Sequence, residues 1–183
     1  KNDNYNVSFS ANQKALDGAL VFDLSLRASQ RNQKSISNPM SGALTYNPTF
    51  PGFINPETGK WDRDPNSMMA GHPGESFDAP VYNTSNNILA SGKITWNIIQ
   101  GLQLSAFGSY GRTLSSRKTY SPTTISTSVG SATIANTERT DIMGNVQLSY
   151  VKAIGKHEIN ALALVEAQKV DNFTSSMSAS NFD

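Results

Sequence analysis

The chain contains no cysteine, which excludes disulfides and thiolate-held metal sites. No apolar run approaches the ~20 residues that a membrane-spanning helix needs. That excludes helical spans and leaves a β-barrel open, because barrel strands alternate and never accumulate hydropathy in a window. Charge is scarce as well: charged residues make up 16% of the chain and the formal net charge is +1, where soluble globular proteins carry about 25% charged residues. Lys and Arg are scattered with no basic stripe, so nucleic acid is not an expected partner. Chemistry-bearing motifs are missing too. There is no G-x-S-x-G, no nucleophile–base pair and no glycine-rich nucleotide loop. His72 and His157 stand far apart without a companion ligand. Glu57, Asp62 and Asp64 lack the glycine and terminal Glu of a calcium loop. The expectation is a protein that is not an enzyme and holds no cofactor or metal. No signal peptide opens the chain; KNDNYNV runs straight into a strand pattern, which reads as a cut through a larger protein.

What is present is alternation. In the stretch Asn87–Arg112, Ile88, Ala90, Gly92, Ile94, Trp96 and Ile98 alternate with Leu89, Ser91, Lys93, Thr95 and Asn97. After Gln100-Gly101, Leu102, Leu104, Ala106, Gly108 and Tyr110 alternate with Gln103, Ser105, Phe107, Ser109 and Gly111. Successive strand side chains point to opposite faces, so this is a hairpin with one apolar and one polar face. An arm of about 11 residues at ~3.3 Å per residue reaches ~36 Å, and tilted by ~45° it rises ~25 Å, the height of the apolar band of a transmembrane barrel.

The unit recurs. The expected strands are 5–12, 19–29, 87–99, 102–112, 140–152 and 157–169, with long loops at 30–86, 113–138 and 171–183. The first long loop holds seven of the eight prolines, which argues against helix there. Within it, NPETGKW (Asn55–Trp61) reads as a tight turn at the tip of an excursion hairpin. Short turns on one side and long loops on the other, three times over, define the expected fold class: all-β, an antiparallel up-and-down transmembrane β-barrel segment of about six long strands with long extracellular loops. The alternative is a soluble all-β module, secreted or surface-bound, that recognises carbohydrate as an adhesin does; its strands would be shorter and its apolar faces buried against each other.

Ala79–Tyr110 (APVYN…NNILASGKITWNIIQGLQLSAFGSY) resembles the SusC/RagA-type TonB-dependent transporters of Bacteroidetes outer membranes. So do GKHEINALALVEAQK (Gly155–Lys169), the strand pair NYNVSFSANQKALDGALVFDLSLRAS, and the loop NPTFPGFINPETGKW, the last in a less regular form. The resemblance covers nearly the whole chain and is weakest at Thr113–Thr137. It implies a location in the bacterial outer membrane and a place in the first half of a barrel of about 22 strands with a plugged lumen. The family's signal peptide, TonB box, plug domain and C-terminal strands have no counterpart here. It further implies import of a large nutrient, oligosaccharide or oligopeptide, driven through TonB by the missing plug region, with a SusD-like surface lipoprotein as partner.

On that reading the apolar face meets outer-membrane lipid. The polar face meets plug and lumen, where Asp23, Arg27, Lys93, Gln103, Gln147 and Glu166 are the candidate contacts. Leu89, Phe107, Leu162 and Leu164 interrupt the polar pattern and are assigned to plug contact. Tyr46, Phe50, Phe53, Trp61, Phe77, Tyr82 and Tyr120 are candidate loop aromatics for cargo or partner, since aromatics bury much area at low entropy cost. The competing reading is that these rings pack on one another and order the loop.

Overall fold

A computed structural model describes residues 1–36, 39–47, 49–50, 52, 54–65, 71–125 and 127–182; for Ser41 and Thr45 it describes the backbone only. Six strands form one antiparallel sheet in chain order. They are β1 (Asn2–Ala15), β2 (Leu20–Ser35), β3 (Val81–Ile99), β4 (Leu102–Ser121), β5 (Ser131–Ile154) and β6 (His157–Ser180). The all-β, up-and-down reading holds. The sheet is open: β1 and β6 are its two edges, and the barrel is not closed within this chain.

All six strands outrun the alternating segments. The stretch 113–138, expected as loop, is mostly strand, and only residues 122–130 connect β4 to β5. The tail 171–183, also expected as loop, is strand up to Ser180. The first long loop shrinks to 36–80 and contains two short helices, α1 (Met40–Thr45) and α2 (Glu75–Asp78). The prolines do not prevent them, because Pro39 sits at the N-cap of α1 and Pro73 lies ahead of α2, where no N–H is needed.

The ends of the sheet differ. At one end β3 passes to β4 through Gln100-Gly101 and β5 to β6 through Gly155-Lys156, while a 3-10 turn, Leu16–Gly18, links β1 to β2. Gly101 has φ 86°, and its carbonyl accepts the Val151 N–H at 2.8 Å. The other end carries the 36–80 loop and the 122–130 connection.

Register decides which residues share a face. Leu20, Trp96, Leu104, Leu148 and Ala163 form one lateral row, and Phe22, Ile94, Ala106, Val146 and Val165 the next. Gly92, Gly108 and Gly144 stand side by side in the row beyond, on the same face. Stacked together, such rows make a continuous apolar band across six strands. In β1 the band runs from Tyr5 to Ala15, interrupted by Gln13; in β6 it runs from Ile159 to Ala167.

This band is oblique to the strands. The row of Tyr5 reaches β6 at Phe173 and the row of Ala15 reaches it at Ala163. Across five strand steps the band therefore slides by about five residues, and one ~3.3 Å residue per ~4.8 Å strand spacing is a slope of ~35°. Among the described residues, nothing buries the band. Among the described residues no hydrophobic side chain is buried, and Val146 and Val165 are 49% and 74% exposed.

Candidate functional site at the loop end of the sheet

The 36–80 loop is held from its tip inward. Asn55 turns the chain: its Oδ1 accepts the Glu57 N–H at 2.8 Å and the Thr58 N–H at 3.3 Å, while its own N–H reaches the Lys60 carbonyl at 2.7 Å. Ile54 and Trp61 then pair as an antiparallel bridge. NPETGKW is thus a self-closing Asx turn at the tip of an excursion hairpin, as its composition indicates.

Two further contacts fix this hairpin to the β4–β5 connection. The Trp61 N–H donates to the Thr124 carbonyl at 2.9 Å, and Lys60 Nζ donates to the Ser128 carbonyl at 3.3 Å. Asp78, the last residue of α2, accepts both Trp61 Nε1–H at 2.7 Å and Thr124 Oγ1–H at 3.1 Å on the same oxygen. One carboxylate therefore ties α2, the excursion hairpin and the neighbouring connection together.

At the centre of the loop lies His72. Its ring stacks on Trp61, centroids 4.8 Å apart and planes within 5°, and takes the edge of Tyr46 at 4.7 Å. Phe50 meets Tyr46 edge-on at 6.2 Å. The Gly74 N–H donates to His72 Nδ1 at 2.9 Å, so Nδ1 is an acceptor and the proton of the neutral ring is on Nε2. A side chain at Gly52 would collide with His72, and one at Gly74 with both His72 and Trp61, so glycines are what let the backbone come this close. Burial lowers the His72 pKa from its ordinary 6.5, opposed by the nearby Glu75. Burial raises that of Tyr46, reinforced by Asp64, Asp62 and Glu75. The Tyr46 hydroxyl is shielded from solvent and finds no hydrogen-bond partner among the described residues.

The aromatic residues singled out by sequence divide accordingly. Tyr46 and Trp61 pack on His72, and Phe50 packs on Tyr46. Phe77, on α2, is 63% exposed. Phe53 lies outside the described residues. Tyr82 and Tyr120 are not in loops: they belong to β3 and β4, because the strands extend past the alternating segments. Lys34 Nζ stands 5.4 Å over the Tyr82 ring, and Tyr120 stacks with Phe182 at 6.5 Å. His72, the hub, has no second ligand in the sequence, and its one sequence mark is its setting, with Gly71 before it and Pro73-Gly74 after it.

On the polar face, register places Asp23 opposite Lys93, Lys93 opposite Phe107, and Glu166 in the same row beyond Asn145. Asp23 Oδ1 accepts Asn12 Nδ2–H at 2.6 Å instead of pairing with Lys93. Arg27 faces Ser8 and Leu89. Gln103 donates through Nε2 to Asn97 Oδ1 at 2.9 Å, and Gln147 lies between Ser105 and Leu164. This face is a field of amides and hydroxyls with scattered charges, of which Arg139 and Asp141 pair at 2.7 Å. Among the described residues no three carboxylate or imidazole groups gather to hold a metal. No protein-family model matches the chain, and no curated protein matches it.

Proposed function

We propose that this chain is part of the wall and outer loops of a TonB-dependent transporter of the SusC/RagA type in a bacterial outer membrane, importing a large nutrient such as an oligosaccharide or oligopeptide. The observation that carries the reading is the oblique, uncovered apolar band. In a closed transmembrane barrel the strands tilt by ~35–45°, and lipid demands an apolar belt perpendicular to the barrel axis, which appears on the strands as a band at that angle. The ~35° slope derived from the register matches this tilt. Its run of 9 to 11 residues in β4 and β3 (Leu102–Tyr110 and Ile88–Ile98) spans ~22–27 Å along the normal at ~3.3 Å per residue, the thickness of the hydrocarbon-facing belt.

A soluble sheet of this size would cover its apolar face, since burial of apolar area is the dominant favourable term in folding. Here, among the described residues, the face is bare over all six strands. Lipid is the solvent that makes a bare face favourable, and the free edges of β1 and β6 would there be paired by further strands, since unpaired backbone groups are not tolerated in hydrocarbon. The 36–80 loop and the 122–130 connection lie at the same end, as the extracellular loops of such barrels do, and the polar face turns inward to plug and lumen. The residues of the resemblance supply the transporter class, and with it a SusD-like lipoprotein above the loops.

The test of transport is uptake of labelled oligosaccharides and oligopeptides by cells that express the protein carrying this segment. One of the two classes should accumulate, and an uncoupler of the proton-motive force should abolish the accumulation. Surface binding that persists at full level in de-energised cells, with no uptake, would replace the transporter by the carbohydrate-binding adhesin.

A further inference from the structure

Above the apolar band the lipid-side face continues as strand and changes chemistry. Thr84, Ser116 and Asn136 are neighbours in register and, with Asn86, line a shallow groove bordered by the Phe173 ring. The carboxylate in this groove, Glu138, is occupied by Arg112 Nη2 at 2.7 Å. One row higher, Lys34, Tyr82 and Lys118 stand side by side on β2, β3 and β4. Asp3, on the same face, is held by Lys1 at 3.1 Å. Among the described residues neither Lys34 nor Lys118 has an ion-pair partner; their backbones stand two strand spacings, ~10 Å, apart, and Lys34 Nζ lies 5.4 Å over the Tyr82 ring, so two cations on this face lack a counter-charge.

Height selects what can reach them. From Ile88, the top of the band on β3, to Tyr82 is six residues, which is ~20 Å along the strand and ~16 Å along the membrane normal at the tilt found above. The headgroup layer of a phospholipid bilayer adds only ~5–8 Å beyond the hydrocarbon on each side. Phospholipid phosphates therefore end below this row. A lipid whose headgroup is built of several sugars and bears phosphate passes the hydroxyl- and amide-lined groove and arrives at the lysines. Sugar hydroxyls suit Thr84, Asn86, Ser116 and Asn136, a sugar face suits the Phe173 ring, and phosphate complements the uncompensated charge.

We infer that the outward face above the apolar band docks the phosphorylated saccharide headgroup of a glycolipid, with sugars in the Thr84–Asn136 groove and phosphate at Lys34 and Lys118. The inference rests on the barrel-wall reading. It is tested with the full chain in phosphatidylcholine vesicles, in vesicles with added phosphatidylglycerol, and in vesicles with added rough lipopolysaccharide. A nitroxide label at Ser116→Cys reports docking, and a separate label at Ile94→Cys reports insertion.

The Ser116 label should be immobilised only in the lipopolysaccharide vesicles. Replacing both lysines by alanine should raise the lipopolysaccharide needed for half the effect by ~10–30-fold, at the strength usual for two lysines near an anionic surface. An equal response to phosphatidylglycerol would reduce the effect to bare charge and overturn the proposal. An equal response to inorganic phosphate or to the free core oligosaccharide would assign the groove to a soluble ligand, and so would overturn the lipid source. Indifference of the Ser116 label while Ile94 is in contact with acyl chains would sink the docking site alone. Absence of acyl-chain contact at Ile94 would sink the barrel wall, and docking with it.

Discussion

Trp61 and His72 lie face to face, ring centroids 4.8 Å apart and planes within 5°, and the Gly74 N–H donates to the His72 nitrogen that a second proton would occupy. Protonation would replace that acceptor by a donor and place a charge in a partly desolvated stack. With the folded pKa below the ordinary 6.5, the unfolded loop binds the proton more readily than the folded one. Loop order is therefore complete above pH 6.5 and declines as the pH falls through the lowered value. Trp61 fluorescence, followed in a Trp96→Phe background, should change with acidification, and His72→Phe should keep the stack and remove the pH response. A pH response that survives His72→Phe would assign it to another group.

The Asp78 carboxylate joins three segments through a single oxygen, to Trp61 Nε1 at 2.7 Å and Thr124 Oγ1 at 3.1 Å. Asp78→Ala removes both, at a cost of ~1.5–3 kcal/mol for hydrogen bonds to a charged acceptor. The consequence is local, because neither partner belongs to the sheet. Limited proteolysis should cut the 36–80 loop several times faster while strand amides keep their exchange protection. Loss of strand protection in this variant would show that the loop supports the sheet, contrary to the account.

Two glycines of one hairpin should respond oppositely to alanine. Gly101 has φ 86°, and a methyl there would meet the Val151 carbonyl oxygen inside van der Waals contact. Gly108, mid-strand in β4, has open space where a methyl would go. Gly101→Ala should destabilise by about 1–3 kcal/mol from backbone strain alone. Gly108→Ala should be neutral or stabilising by up to ~1 kcal/mol, as Gly weakens strand interiors. Denaturant midpoints in the same lipid or detergent measure both, and equal effects would contradict the turn geometry.

The residues that sequence reading located well, and those it did not, separate at the edge of the apolar band. Within the band one face needs apolar side chains and the other does not, so hydropathy writes the strand at period two, as from Ile88 to Ile98. Beyond it, at Thr113–Ser121, Ser131–Thr137 and Asp171–Ser180, both faces carry polar residues. The strands persist through their ladder hydrogen bonds, but nothing in hydropathy marks them. Tyr82 and Tyr120 therefore read as loop residues in the sequence, although they belong to β3 and β4. The turn at Asn55–Trp61 was legible because Asn, Pro, Thr and Gly act on their own neighbours. The His72 hub was not, because it joins Tyr46, Trp61 and Gly74, whose meeting is tertiary.

The central claim is that one face of this sheet meets lipid and the other does not. Since the chain has no cysteine, single cysteines can be placed at will. Labels at Ile94, Ala106 and Val146 lie in one row of the band, and labels at Thr95, Ser105 and Gln147 in the adjacent row of the opposite face. With the full chain in vesicles, fluorophores on the first three should be quenched by doxyl groups on the acyl chains and shielded from aqueous iodide, and the second three should show no acyl-chain quenching. Uniform iodide access on both faces, or shielding of Ile94, Ala106 and Val146 from both quenchers, would contradict the account.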